Sequence, residues 1–185
     1  PLRDEVLNQI KSRNDYLVNK DKSKTNKVNI TIFGGSIGAS CINNALIEMI
    51  DTLDIPSNWD ITLISGENNL LDVSSRIDSA QVCVYPFIDN LFETICLSDI
   101  TVSRSGAGTC VELEIAQVQS ILIPLAIAPG DHQAKNASDL VSSGLGKIIL
   151  EKDLNGKILF EAIRDMLNTK PEKKMLENES IHLSA

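Results

Sequence analysis

The sequence is poor in the residues that carry most protein chemistry. Aromatic residues make up only 4% of its 185 positions, and there are two histidines, His132 and His182. Two imidazoles so far apart in the chain argue against a histidine-rich metal centre. No Asp-x-Asp pair is present to clamp a metal–nucleotide complex, and no Gly-Lys-Ser/Thr marks a P-loop. The four cysteines, Cys41, Cys83, Cys96 and Cys110, form no C-x-x-C, and they read as reduced thiols of a cytosolic protein. No apolar run reaches the roughly 18 residues of a membrane span, and no signal peptide is expected. Positive charge is short: 17 Lys and Arg stand against 25 Asp and Glu, for a net charge of −8. That balance excludes a nucleic-acid surface and any ligand drawn in by a broad positive field. An anionic ligand would need local help from backbone amides and single arginines. The chain opens on Pro1 rather than Met, which is expected of a piece of a longer protein.

What the sequence does have is aliphatic. Hydrophobic residues make up 43% of it, mostly Ile, Leu and Val, enough for the core of one large domain or two small ones. The chain is organised around Val28 to Ser40, VNITIFGGSIGAS. Val28, Ile30, Ile32 and Phe33 form a β-rich run closed by Gly34-Gly35, and from Ile42 the apolar residues recur at helical spacing. Between them the backbone lies bare at the mouth of a helix, where free N–H groups and the positive end of the dipole can hold an anion. Several readings compete for this turn. Gly35-x-x-Gly38 is half of a dinucleotide fingerprint. Gly34-x-Ser36-x-Gly38 matches the nucleophile elbow of α/β-hydrolases, although no strand is readable before Val28. A tight βα turn that binds nothing remains the plain alternative.

Taken in order, residues 1–27 read as a hinge segment, a short helix and a polar, lysine-bearing linker. Residues 28–169 read as one α/β domain, and residues 170–185 as a polar tail. Strands are expected at Val28–Phe33, Trp59–Ile64, Val82–Tyr85, Ile100–Val102, Ile121–Ile123 and Lys147–Leu150. Helices are expected from Ile42, over Asn69–Ile77, from an Asp89 cap to Leu97, over Thr109–Val118, over Asp131–Ser142 with Ala134, Ala137, Leu140 and Val141 inward, and over Asp153–Leu167. Strand and helix alternate six times and the strands are continuously apolar. The expected fold is therefore a doubly wound, six-stranded parallel sheet of Rossmann-like type, covered on both faces. Ligands of such domains sit at the carboxyl ends of the strands. Both glycine turns, the loop after Pro124 and Pro86-Phe87-Ile88 all fall on that rim.

Two glycine turns at helix starts suit a diphosphate held without metal. Thr109 and Glu112 have two readings. Thr-x-x-Glu is a capping box, or Glu112 is a carboxylate that accepts hydrogen bonds from a ribose diol. Arg104 reads as a rim salt-bridge partner rather than a phosphate ligand. Gln133 and Asn136 share a helix face, and their amides suit sugar hydroxyls; the alternative is an Asp131 cap with solvated neighbours.

Four segments recur together in a known order: Gly34-Gly35-Ser36-Ile37-Gly38-Ala39, Pro86-Phe87-Ile88-Asp89, Arg104-Ser105-Gly106-Ala107-Gly108-Thr109-x-x-Glu112, and Asp131-His132-Gln133-x-x-Asn136-Ala137. As a set they resemble the C-terminal, donor-binding half of the bacterial UDP-N-acetylglucosamine transferases that convert lipid I to lipid II in peptidoglycan synthesis. Pro1-Leu2-Arg3 resembles the end of that family's interdomain Asn-Pro-x-Arg segment. The resemblance covers about Pro1 to Leu167. It implies the C-terminal half of a GT-B, metal-independent, inverting glycosyltransferase with no cofactor. It implies that Ser36 and its neighbouring amides hold the diphosphate, that Ile88 meets uracil through its backbone, and that Gly108 and Thr109 offer amides to phosphate. Glu112 would bind the ribose diol, Gln133 and Asn136 the N-acetylglucosamine hydroxyls, and Arg3 would sit near the leaving diphosphate. No catalytic residue is expected in this chain. The base, the lipid I site and peripheral contact with the cytoplasmic face of the bacterial inner membrane are expected on an N-terminal half that this sequence does not contain. Three positions depart from the pattern: Ile37 stands in place of Gln, Val118-Gln119-Ser120 replaces Gly-x-Pro, and Ala134 follows Gln133. A Ser36 hydrolase and a stand-alone nucleotide-binding module are the competing readings.

Overall fold

The computed structural model describes residues 26–35, 38–125 and 132–169. The expected N-terminal helix, the polar tail, Arg3, Ser36, Ile37 and Asp131 lie outside the described residues. In chain order the elements are β1 (Val28–Phe33), α1 (Ser40–Thr52), β2 (Trp59–Ile64), α2 (Leu70–Arg76), β3 (Val82–Tyr85), α3 (Leu91–Leu97), β4 (Ile100–Ser103), α4 (Ala107–Ala116), β5 (Gln119–Leu122), α5 (His132–Ser142), β6 (Gly146–Ile148) and α6 (Gly156–Asn168). Single 3-10 turns at Glu67–Asn69 and Glu151–Asp153 precede α2 and α6.

The six strands form one sheet in the order β3-β2-β1-β4-β5-β6, and every neighbouring pair is parallel. The expected doubly wound sheet is thus observed. The chain winds outward from β1 to β3, returns to β4 beside β1, and winds outward the other way. That reversal leaves α1 and α2, joined by α6, on one face of the sheet and α3, α4 and α5 on the other. Register follows the aliphatic pattern: Ile30 lies beside Ile61 and Ile100, and Ile32 beside Leu63 and Val102. These residues pack with Ile42, Leu46 and Met49 of α1 and Leu159, Ile163 and Met166 of α6. On the other face Phe33, Ile64 and Leu122 pack under α3, α4 and α5 through Phe92, Ile95, Leu113, Ala137 and Leu140.

The second face also carries buried hydroxyls, which pair with one another at two places, as burial favours. Thr31 and Ser98 share a hydrogen bond of 2.7 Å, and Thr101 donates to Ser120 at 2.9 Å. At the amino ends of β1 and β4, Asn29 N donates to the Asp99 carboxylate and Asp99 N to the Asn29 carbonyl, both at 2.8 Å.

Several helix starts differ from expectation. Asn90, not Asp89, caps α3, its side chain accepting from Glu93 N at 3.2 Å. Asn155 caps α6 by accepting from Ile158 N at 2.9 Å, so that helix begins after Asp153. Ala137 and Leu140 are buried in α5, whereas Ala134 and Val141 are exposed. Helix α5 therefore meets the sheet along a narrower stripe than its apolar residues suggest.

Candidate functional site

The sheet reverses its winding between β1 and β4, and a crevice at such a point is where ligands of open α/β sheets bind. Phe33 and Ser103, the last residues of the two strands, are register partners. Each strand runs straight into a glycine turn and then into a helix, α1 and α4. The two helix N-termini consequently open side by side.

The first turn is shaped by its own backbone. Gly35 and Gly38 have φ of +86° and +81°, and Gly38 N donates to the Gly35 carbonyl at 3.0 Å. A Cβ on Gly34 would strike the backbone of Gly38 and Ala39, and one on Gly38 would strike the Ser65 carbonyl and come within 2.9 Å of Asn69 Nδ2. Asn43 and Asn69 both donate to that carbonyl at 3.1 Å, so it cannot move aside freely. No side chain among the described residues caps α1 at Ala39.

The second turn is different. Gly106, at φ −62°, is the N-cap of α4, and no side chain among the described residues caps it. A Cβ on Gly106 would meet only Thr109 Oγ1, at 3.9 Å, and one on Gly108 would meet nothing within 4 Å. Cys110 N makes the first bond of the helix, to the Gly106 carbonyl at 2.9 Å, so the amides of Ala107, Gly108 and Thr109 precede it and face outward. Because α4 begins at Ala107, Thr109 lies inside the first turn rather than at the cap. The Thr109–Glu112 capping box is therefore not formed. Thr109 and Glu112, both part-exposed, share a helix face three residues apart.

Arg104, just before this turn, is a rim salt-bridge residue, as expected. Its Nη1 lies 2.8 Å from the Glu151 carboxylate and also donates to the carbonyls of Ile123 and Pro124, at 3.2 and 3.4 Å. Its Nη2 donates to Cys41 Sγ at 3.2 Å, joining the second turn to the start of α1. Burial raises the Cys41 thiol above its ordinary value, against the lowering pull of Arg104. Burial, with the carboxylates of Asp139 and Glu114, pushes the Cys110 thiol up to about 11. Neither sulfur is a ready thiolate near neutral pH.

Gln133 and Asn136 lie together in the first turn of α5, both part-buried. Leu125 N donates to Gln133 Oε1 at 3.0 Å, and Asn136 Nδ2 donates to the Ser105 carbonyl at 3.2 Å. These partners fix which way each amide points. Gln133 keeps its NH2 as a donor, and Asn136 keeps its oxygen as an acceptor. Ile88 lies on the same rim beyond β3, packed against the α3/α4 side of the core. The structure thus places Ile88, Gly108, Thr109, Glu112, Gln133 and Asn136 along one edge of the sheet. Sequence reasoning assigned no role to Ser105, Glu151 or Ser103. Ser103 Oγ is buried at the end of β4 with no hydrogen-bond partner among the described residues.

Residues 29–184 match the family described as the glycosyltransferase family 28 C-terminal domain. The chain belongs to that family. Membership separates the chemistries left open by Gly34-x-Ser36-x-Gly38, since the family is one of glycosyltransferases rather than hydrolases. A family 28 relative from Finegoldia magna, named UDP-N-acetylglucosamine–N-acetylmuramyl-(pentapeptide) pyrophosphoryl-undecaprenol N-acetylglucosamine transferase, is 35% identical over 170 residues, which cover 91% of this chain and 46% of the relative. A relative of the same name from Bacillus cytotoxicus is 36% identical over 180 residues, covering 95% of this chain and 48% of the relative. The chain therefore spans about half the length of the curated relatives it matches. The crystal structure of Acinetobacter baumannii MurG superposes with a TM-score of 0.72 at 28% identity, over 84% of this chain and 44% of that one. The C-terminal CMP-Kdo binding domain of WaaA from the same species shares the fold alone, with a TM-score of 0.58 at 13% identity, over 90% of this chain and 92% of that one.

In this family 28 domain a hollow of about 580 Å³ opens at the opposite edge, lined in part by Lys27, Trp59, Asp99 and Arg164. It lies at the amino ends of the strands, away from the crevice and from both helix N-termini. Among the described residues no three His, Cys, Asp or Glu side chains come together as a metal site, and no helix is long and apolar enough to cross a membrane.

Proposed function

We propose that this chain is the donor-binding half of an inverting transferase that moves N-acetylglucosamine from UDP-N-acetylglucosamine to lipid I in peptidoglycan synthesis. The observation that carries the reading is the second glycine turn. Its glycines meet no obstacle that the described residues supply, no side chain among the described residues caps its helix end, and the same holds for the second helix end across the switch point. Glycine where the protein itself needs none is what close approach of a ligand to backbone demands. Each helix end offers roughly half a positive charge, worth ~0.3–2 kcal/mol to an adjacent anion. Two such ends facing one diphosphate make metal unnecessary. The names and lengths of the relatives support the transferase reading and the division into halves.

In this reading Gly108 and Thr109 give amides to phosphate, and Ser36 and its neighbouring amides hold the diphosphate. Glu112 accepts from the ribose diol, Ile88 meets uracil through its backbone, and Arg3 approaches the leaving diphosphate. The Gln133 NH2 donates to one sugar hydroxyl, and the Asn136 oxygen accepts from another. Transfer needs a base to take the proton from the acceptor hydroxyl as that oxygen attacks the anomeric carbon and UDP departs. It also needs the acceptor held against the donor. Both belong to the other half, together with lipid I and peripheral contact with the cytoplasmic face of the inner membrane.

Calorimetry in EDTA tests the donor site. UDP is expected to bind without Mg²⁺ and ADP poorly; equal affinity for the two overturns the uracil assignment. Release of UDP with and without a lipid I analogue tests the division of labour. The chain alone is expected to bind the donor without transferring it, and mixing it with a separately made N-terminal half is expected to restore turnover if the halves associate. Acceptor-dependent turnover by this chain alone, in the ordinary range of ~1–10³ per second, would place the catalytic groups here instead.

A further inference from the structure

The first turn of α5 is held by hydrogen bonds rather than by packing. His132, Ala134 and Lys135 are exposed, and the first buried apolar residue of the helix is Ala137. The inward positions before it are Gln133 and Asn136, both amides. Each is tied to one residue of the second glycine turn. Ser105 Oγ donates to the Gln133 carbonyl at 2.8 Å, and the Ser105 carbonyl accepts from Asn136 Nδ2 at 3.2 Å. Ser105 is 0% exposed. Arg104 fixes it on one side, through Glu151 and the Ile123 and Pro124 carbonyls. On the other side Gly106 caps α4. Thus the residue that opens the diphosphate turn also grips the helix that carries the two amides.

We propose that Ser105 is a positioning residue for donor specificity, fastening Gln133 and Asn136 in the orientation that engages the sugar. This rests on the reading of those amides as sugar contacts. The hydroxyl touches neither nucleotide nor sugar. It acts on the sugar through the Gln133 backbone, so its loss falls on the sugar's share of affinity and spares the nucleotide's.

The test compares UDP-N-acetylglucosamine with UDP, by calorimetry, on the chain and on Ser105→Ala, Ser105→Thr, Gln133→Ala and Asn136→Ala. Ser105→Ala is expected to lower the affinity ratio of the two ligands by about fivefold to tenfold, the scale of one neutral hydrogen bond, with UDP affinity held within about twofold. Ser105→Thr keeps the hydroxyl and is expected to keep the ratio. The double variant Ser105→Ala/Gln133→Ala is expected to lose no more than Gln133→Ala alone, because the two act through one contact. If Gln133→Ala and Asn136→Ala lower the ratio and Ser105→Ala does not, the positioning role is overturned while the sugar assignment stands. If neither amide variant changes the ratio, the sugar assignment itself has failed. If Ser105→Ala weakens both ligands equally and lowers the melting temperature, Ser105 serves the fold alone and the proposal is overturned.

Discussion

The two glycine turns leave neighbouring strands and open neighbouring helices, yet their glycines answer to different demands. In the first, Gly34 and Gly38 are hemmed by protein: any Cβ would drive into the backbone of the turn or into the Ser65 carbonyl, and Gly38 sits in the left-handed region. In the second, Gly106 and Gly108 have ordinary φ and open space around them. One set of glycines builds the crevice and the other leaves it unobstructed. A fold-derived glycine and a ligand-derived glycine are thus told apart by what a methyl group would hit.

Substitutions can break or sharpen that contrast. The largest effect is expected from Gly38→Ala, where positive φ and the clash with Ser65 together cost roughly 2–4 kcal/mol. Thermal denaturation is expected to fall by roughly 5–10 °C; an unchanged melting temperature would mean the first turn is not constrained as described. Glu112→Gln comes next. Gln keeps the shape of the Glu112 side chain and an amide that can still hydrogen-bond, so melting is expected to stay near normal. UDP affinity is expected to fall about tenfold, on the scale of a charge-assisted hydrogen bond. A large melting loss with unchanged binding would return Glu112 to a structural role.

Gly108→Ala is the sharper test of the second turn. Alanine in a helix is favoured over glycine by up to about 1 kcal/mol, so stability is expected to hold or rise while UDP binds about fivefold more weakly. Equal binding would show that no ligand approaches that backbone. The smallest effect belongs to Cys41→Ser, at the contact between the two turns. Arg104 keeps an acceptor and no charge changes, so UDP affinity is expected to stay within about twofold, the scale of a small fraction of a hydrogen bond. The raised thiol also means that iodoacetamide at mildly alkaline pH is expected to label exposed Cys83 before Cys41, as mass spectrometry of the modified chain would show.

Much of the fold was legible in the sequence because buried strands in a parallel sheet must be continuously apolar. The bounds of β1, β2 and β3 follow directly from their β-branched and aromatic runs. Helix starts were less legible. Asp89 and Asn90, or Asp153 and Asn155, can each cap a helix, and the choice depends on where Phe92 and Ile95, or Leu159 and Ile163, must reach the core. The start of α4 was hidden because Thr-x-x-Glu imitates a cap three residues inside the real one. At the site, the rim residues could be named from motif and position. The difference between the two glycine pairs could not, since it lies in the neighbours supplied by β2 and the Glu67–Asn69 turn. Ser105 escaped notice for a similar reason: its partners are on α5, far along the chain.

The placement of β1 at the centre of the sheet has a consequence for how the chain reaches its native state. The winding from β1 to β3 joins neighbours in sequence. Pairing β4 with β1, sealed by the Asn29–Asp99 exchange, closes a loop of 70 residues. Such a closure must be paid in chain entropy before its contacts are gained, and non-local pairings of this kind slow folding. The crevice has one wall from each side of that closure. During refolding, helical signal is therefore expected to return before nucleotide binding does, and ligand capture becomes a report on the last seam to close.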